Sequence, residues 1–258
     1  MNILFLGDIV GKPGRDAVKN HLETLKKQND IAFTIVNGEN SAGGLGITPE
    51  IYRELLGYGI DVITTGNHIW KRKEIYEIID QPQLLRPANY PDEAPGRGYG
   101  KYRIDNTEIA VINLQGRIFI EPINCPFTVV DSILKELKGI KIIIVDVHAE
   151  ATSEKMALGW YLDGKVSAVL GTHTHVMTSD ARIMPEGTGY ITDAGMTGSK
   201  SGIIGVEKEE IIRKFITGMP FRFKVSKGKE SIEGVVLEVD EKSGKCIRLK
   251  SISVPVKV

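Results

Sequence analysis

Asp8, Glu39, Asn67-His68, His148 and His173/His175 are the residues of this chain best suited to chemistry, because each falls at or just beyond the C-terminal end of a short apolar run. In an open α/β sheet those ends border the crevice where ligands bind. Four of the five histidines belong to the group, and His21 alone sits inside an ordinary helical stretch. Carboxylates and imidazoles without thiolates suit manganese, iron or zinc better than calcium, which prefers cages made of oxygen. Asp8 and Glu39 offer negative charge, Asn67 a carbonyl oxygen, and His148, His173 and His175 ring nitrogens. Two cations account for that many donors. Glu39 is the natural bridge, since a shared carboxylate offsets the repulsion of ions held about 3.5–4 Å apart. His68 follows Asn67 and is placed to stand over the ions without joining them, giving a proton to a leaving oxygen. Its alternative role is to orient Asn67 or a carboxylate. The glycines at 7–14 spell neither GxGxxG nor GxxxxGK[ST], so no nucleotide-binding loop is read there.

For these side chains to meet, the apolar runs before them must be strands. Residues 3–6, 31–36, 60–65, 140–147 and 166–170 have that character, and 140–147 is apolar almost throughout, as a strand covered on both faces must be. Helical spacing occupies 16–27, 71–79, 128–137, 154–162 and 207–216. Thr48-Pro49 starts a further helix with a capping hydroxyl and a proline in the first turn. Additional strands are expected at 102–104, 109–114, 189–193, 221–225, 231–239 and 246–254, with irregular connections at 82–100 and 115–126. The alternation predicts an α/β fold in which crossover helices cover a sheet. One domain over 1–258 with two packed sheets leads, and a doubly wound single sheet is the alternative.

Composition narrows the function classes. The 258 residues contain 33 Lys+Arg and 33 Asp+Glu, so no overall positive field draws the chain to nucleic acid or a membrane surface. Any phosphate must be met locally. Cys125 and Cys246 are the only cysteines, which excludes a disulfide scaffold or a Cys-rich metal site and fits a reducing compartment. The opening residues lack a basic region and reach Asp8 at once, which makes them a poor secretory signal. No apolar run attains the roughly 18–20 residues of a membrane span. A cytoplasmic location is therefore expected.

The motifs Gly7-Asp8, Gly38-Glu39-Asn40, Gly66-Asn67-His68, the isolated His148 and Gly171-Thr172-His173-Thr174-His175 together resemble the calcineurin-like metallophosphoesterase superfamily. Residues 37–44 and 192–198 extend the resemblance to its YmdB-like branch of bacterial cyclic-nucleotide phosphodiesterases. The superfamily usually opens with Asp-x-His, whereas this chain has Asp8-Ile9-Val10 and so lacks that imidazole. The resemblance implies that Asn40 supplies an alternative oxygen near Asp8, Glu39 and His175. It places Asn67, His148 and His173 with Glu39 around the other ion, and gives His68 the acid role. It further implies a four-layer α/β/β/α sandwich with the late strands in a second sheet. Two divalent or mixed-valence ions per chain are implied, iron or manganese ahead of zinc, together with a homo-oligomer. The activity implied is hydrolysis of 2′,3′-cyclic or 3′,5′-cyclic nucleotides; base selectivity does not follow, since many loop residues, Tyr90, Tyr99 and Phe119 among them, could stack on or hydrogen-bond to a base. Phosphomonoester or phosphoprotein hydrolysis by the same ligands, or nucleotide binding with weak activity, are the alternatives.

Overall fold

A computed structural model describes residues 1–220 and 222–255. The chain opens with β1 (Asn2–Leu6) and the two-residue β2 (Asp8–Ile9), then α1 (Gly11–Gln28), β3 (Ile31–Asn37), α2 (Pro49–Gly57), β4 (Val62–Thr64) and β5 (Leu84–Leu85). Next come β6 (Tyr99–Ile104), β7 (Thr107–Gln115), α3 (Pro126–Glu136), β8 (Ile142–His148), α4 (Thr152–Leu162), β9 (Ala168–Thr172), β10 (Arg182–Ile183) and β11 (Gly189–Ile191). The last elements are β12 (Met196–Ser199), α5 (Lys208–Thr217), β13 (Glu230–Val239) and β14 (Cys246–Pro255).

Eight strands form one sheet, ordered β2-β12-β13-β1-β3-β4-β5 with β14 on β13, and six form another, ordered β10-β11-β9-β8-β7-β6. The period of two along each strand explains why the sheets stack. In β1, Ile3 and Phe5 point into the core between the sheets, while Leu4 and Leu6 point outward to the layer built by α1 and α2. In β8, Ile142 and Ile144 face the other sheet and Ile143, Val145 and Val147 face the helical layer of α3 and α4. The result is a four-layer α/β/β/α sandwich, which excludes the single-sheet alternative. Strands β1, β3, β4 and β5 run parallel, as do β7, β8, β9 and β11, so their C-terminal ends gather at one edge. No helix among the described residues is long and apolar enough to cross a membrane.

Three expectations need correction. Residues 71–79 form not one α-helix but parts of two 3-10 helices, Ile69–Lys71 and Lys73–Glu77. Arg72 breaks the run: its backbone is extended and its guanidinium donates to the carbonyls of Leu45 and Ala42. The late strands β13 and β14 join the sheet of β1, with β13 antiparallel between β1 and β12, while β10 and β11 lie in the other sheet. Phe221 of the expected strand 221–225 lies outside the described residues, and the remainder shows only an isolated bridge, Val206 to Val225. The short strands β2, β5, β10 and β12 escape sequence reading because two to four residues cannot display a period.

Candidate metal centre

The edge where the parallel strands end collects every candidate side chain. Asp8 follows β1, Glu39 and Asn40 follow β3, Asn67 and His68 follow β4, His148 is the last residue of β8, and His173 and His175 follow β9. The sheets approach closely there, and Gly66 permits it. A Cβ at Gly66 would lie 2.1 Å from His148 Cδ2 and 2.4 Å from Glu39 Oε2, so a side chain at this position would displace both.

His148 is the hub and is fully buried. Its Nε2 lies 3.0 Å from Glu39 Oε1, 3.1 Å from Asn67 Oδ1 and 3.0 Å from His173 Nδ1. Its Nδ1 lies 2.9 Å from Thr172 Oγ1, and that hydroxyl donates to Asp146 Oδ1 at 2.8 Å. This relay fixes the ring so that Nε2 faces the centre, the arrangement by which an outer carboxylate orients a ligating imidazole. Asp146 is itself held from the opposite sheet by Thr64 Oγ1 at 2.5 Å and Asn37 Nδ2 at 3.0 Å. Glu39, His148 and His173 each bring one donor atom within 4.8 Å of the others, an incomplete three-ligand cation cluster of mixed nitrogen and oxygen donors. That donor set fits a first-row cation.

A second group adjoins the first across Glu39. Asn40 Nδ2 lies 3.3 Å from Glu39 Oε1, 3.4 Å from Asp8 Oδ1 and 3.1 Å from His175 Nε2. The amide thus presents its nitrogen to those acceptors while Oδ1 lies 3.0 Å from His68 Nδ1, and a half-turn of the amide exchanges them. His175 Nδ1 donates to the carbonyl of Ile204 at 2.9 Å, which leaves Nε2 to face Asp8 at 3.7 Å. His68 stands at the mouth: its backbone N donates to Glu39 Oε2 at 3.0 Å and its Nδ1 lies 3.2 Å from Glu39 Oε1.

The loop carrying His173 and His175 is conformationally costly. Their φ angles are 98° and 62°, in the left-handed region that L-residues avoid. Asp193 holds the turn, accepting from Thr174 N at 3.1 Å and Thr174 Oγ1 at 2.7 Å. Buried Lys155 completes the clamp by donating to Asp193 Oδ2 at 2.9 Å and to the carbonyl of Thr172 at 2.7 Å. His173 N then reaches Asp8 Oδ2 at 3.0 Å, tying the two sheets together.

Burial alone would raise the carboxyl of Glu39, but the charges and hydrogen bonds of His148 and His68 outweigh it and hold the group well below its usual range. Asp8 is lowered in the same way by His175 and His148 against its own burial. Burial would depress His148, yet Glu39, Asp8 and Asp146 push it up to about 9, whereas burial and the neighbouring His148 charge drive His173 down to about 3. Asp146 is pushed up to about 6, chiefly by burial. A proton on His148 therefore occupies the position that a cation requires. Because the folded pKa of His148 is raised, that proton is held below about pH 9, and a cation must displace it. Apparent affinity for Mn²⁺ should rise by up to about tenfold per pH unit between pH 6.5 and 8.5. Competition against a metal-sensitive dye would measure this; an affinity flat across that range would contradict the assignment of His148.

The centre opens into a cleft of about 700 Å³ whose lining includes Glu39, Asn40, His68, His173 and His175 together with Leu45, Lys71, Arg72, Ile204 and residues 222–225. Tyr90 and Tyr99 line a different cleft, and Phe119 stands 89% exposed beyond β7. Phe223 is instead the phenyl ring in the lining of the centre's own cleft, on a stretch read only as strand. Sequence reasoning also missed Asp146, Thr172, Lys155 and Asp193 as supporting groups. Asp146 carried a usable signal, a lone acid inside an otherwise apolar central strand.

A family model described as YmdB-like protein matches residues 4–252. The chain is 51% identical over 254 residues to a 2′,3′-cyclic-nucleotide 2′-phosphodiesterase of Bacillus subtilis, an alignment spanning 98% of this chain and 96% of that one. Among solved structures it is similar to a hypothetical protein of Thermus thermophilus, with a TM-score of 0.94, 40% identity and 99% of each chain covered. It is also similar to a phosphatase of Mycoplasma pneumoniae, with a TM-score of 0.94, 35% identity, and 99% of this chain and 93% of that one covered.

Proposed function

Because the chain belongs to the YmdB-like family of calcineurin-like metallophosphoesterases, we propose that it is a dinuclear metal-dependent phosphodiesterase that hydrolyses cyclic nucleotides. The observation that carries this reading is the position of Glu39, whose Oε1 lies 3.0 Å from His148 Nε2 on one side and 3.3 Å from Asn40 Nδ2 on the other. Asn67, His148 and His173 with Glu39 would hold one ion, and Asp8, Asn40 and His175 with Glu39 the second, manganese or iron ahead of zinc. Bound there, the ions would supply Lewis acidity to a phosphoryl oxygen and lower the pKa of a water.

The protein's own groups account for the remaining steps. Asp146 and Thr172 keep the His148 ring in one orientation, and the Lys155–Asp193 clamp keeps His173 and His175 in their turn. A water oxygen bonds to phosphorus as the bond from phosphorus to one ribose oxygen breaks. The water's surplus proton passes to solvent, and the departing oxygen becomes a hydroxyl with a proton from His68, which projects into the cleft. For a 2′,3′-cyclic substrate the departing atom is O2′ and the product is the 3′-phosphate, the reaction named for the Bacillus subtilis relative. On this reading the chain works as a single cytoplasmic domain in a homo-oligomer, a state supported by the exposed apolar residues Ile212, Phe215 and Ile216 of α5.

A panel of 2′,3′-cAMP, 3′,5′-cAMP, 5′-AMP and a phosphopeptide, assayed with manganese or iron, tests the proposal. Turnover of a cyclic nucleotide should exceed that of both phosphomonoesters. Turnover confined to 5′-AMP or the phosphopeptide would overturn it in favour of a phosphatase.

A further inference from the structure

The cleft in front of the centre has more cationic and apolar surface than one cyclic phosphate can use. Lys71, Arg72, Arg222 and Lys224 line it, although the chain as a whole is neutral, so this positive charge is a matter of placement. Arg72 is bound to the Leu45 and Ala42 carbonyls, and Lys224 pairs with Glu210 Oε1 at 3.0 Å. The exposed side chains of Lys71 and Arg222 have no hydrogen bond or ion pair among the described residues. The lining holds two carboxylates against these four cations: Glu39, buried against His148, and Glu150, 3.0 Å from His173, so positive charge remains in excess at the rim.

The apolar side is equally specific. Leu45, Ile204 and Phe223 are 39%, 47% and 42% exposed inside the same cleft. Phe223 has Lys214 Nζ 4.8 Å from its ring centroid. It belongs to a segment anchored to the centre itself: Val206 bridges Val225, Glu207 N donates to the Lys224 carbonyl at 2.9 Å, and the neighbouring Ile204 carbonyl accepts from His175. An aromatic ring beside unpartnered cations is the combination by which single-stranded nucleic acid is held, the ring by stacking a base and the cations by meeting the backbone.

We infer that the substrate class of this site is the 2′,3′-cyclic phosphate end of an oligoribonucleotide, with the terminal base against Phe223 and upstream phosphates at Arg222 and Lys71. The inference rests on the phosphodiesterase reading above and deepens it. A free cyclic mononucleotide brings one phosphate, which the centre takes, and leaves both cations without a counterpart. A chain end brings further phosphates to them. The reaction that must supply such ends is RNA cleavage in which a 2′-oxygen gives up its proton and bonds to the adjacent phosphorus as the bond from phosphorus to O5′ breaks, the next nucleotide departing with a protonated 5′-hydroxyl and the cyclic phosphate staying behind. The absence of a general positive field is consistent with recognition confined to the last few nucleotides.

The test compares 2′,3′-cAMP with a tetraribonucleotide ending in adenosine 2′,3′-cyclic phosphate, using the manganese-loaded protein. The oligomer should have a kcat/KM about tenfold or more above the mononucleotide at low salt. With two phosphate contacts, that advantage should shrink about sevenfold between 50 and 200 mM salt. Combining Arg222→Glu with Lys71→Glu should bring the ratio of the two substrates to about one, and Phe223→Ala should raise KM for the oligomer. Fluorescence anisotropy of a labelled tetraribonucleotide ending in a 3′-phosphate supplies a readout without turnover and should show the same salt slope and the same loss in the double variant. A mononucleotide turned over as well as the oligomer, or a substrate ratio untouched by the double variant, would overturn this inference and leave the phosphodiesterase reading standing. No turnover of either substrate would overturn this inference, and no turnover of 3′,5′-cAMP beside them would overturn the phosphodiesterase reading too.

Discussion

Replacing Glu39 by glutamine should strip the centre of metal and lower kcat/KM by about 10²- to 10⁴-fold. Glu39 is fully buried, its Oε1 lies 3.0 Å from His148 Nε2, and its Oε2 accepts from the backbone of His68 at 3.0 Å. Glutamine keeps the size and removes the charge that sits between the two ligand groups. Breaking one partner of a buried charged pair costs about 3–5 kcal/mol, and each 1.36 kcal/mol is a factor of about ten. Elemental analysis beside steady-state kinetics would check the result. A Glu39→Gln protein that kept both ions and lost less than tenfold in rate would remove Glu39 from the bridge.

Replacing His68 by alanine should slow the chemical step by about 10²- to 10⁴-fold while metal content stays near that of the parent. The geometry explains the separation. The contact from His68 to Glu39 Oε2 is made by the backbone N–H and survives the substitution, so the carboxylate keeps one of its donors. Among the described residues the ring's polar contacts are Asn40 Oδ1 and Glu39 Oε1, and it lies at the mouth of the cleft. If His68 protonates the departing oxygen, a substrate such as bis(p-nitrophenyl) phosphate, whose leaving group needs no proton, should recover much of its relative rate. The Glu39 variant should stay poor on both substrates. Loss of an ion in proportion to activity in His68→Ala would instead make this histidine a positioning residue.

How much of this was legible in the sequence depends on whether a feature is local. The strand ends were legible, because β3 and β8 are apolar runs that stop at Asn37 and His148, and the side chains that follow are polar types with no business in a core. The even-numbered face of β8 was legible only in part. Ile142 and Ile144 predict burial, but nothing local says that Asp146 on the same face will meet Asn37 and Thr64 of the other sheet. The clamp of Lys155 and Asp193 joins residues 38 apart, and a lysine in a helix with an acid after a strand carries no such message. The left-handed turns at His173 and His175 were equally silent, since the sequence around them has no glycine at either position to announce a positive φ. Arg72 shows the converse failure: helical spacing was present at 71–79, and a side chain captured by the carbonyls of the 42–45 loop overrode it.

The candidate ligands are divided between the layers: Asp8, Glu39, Asn40 and Asn67 follow strands of the larger sheet, and His148, His173 and His175 end or follow strands of the smaller one. A cation held by both sets is a rivet through the sandwich, and an unfolded chain has no such site to offer it. Binding and folding are then one linked equilibrium, in which a free cation at a hundred times its dissociation constant adds about 2.7 kcal/mol to stability. Scarcity of the metal would be felt twice, as slower turnover and as a shorter-lived chain. The second effect would fall on every molecule, including those with no substrate at hand, so the supply of cation would set how much of this protein persists as well as how fast each copy works.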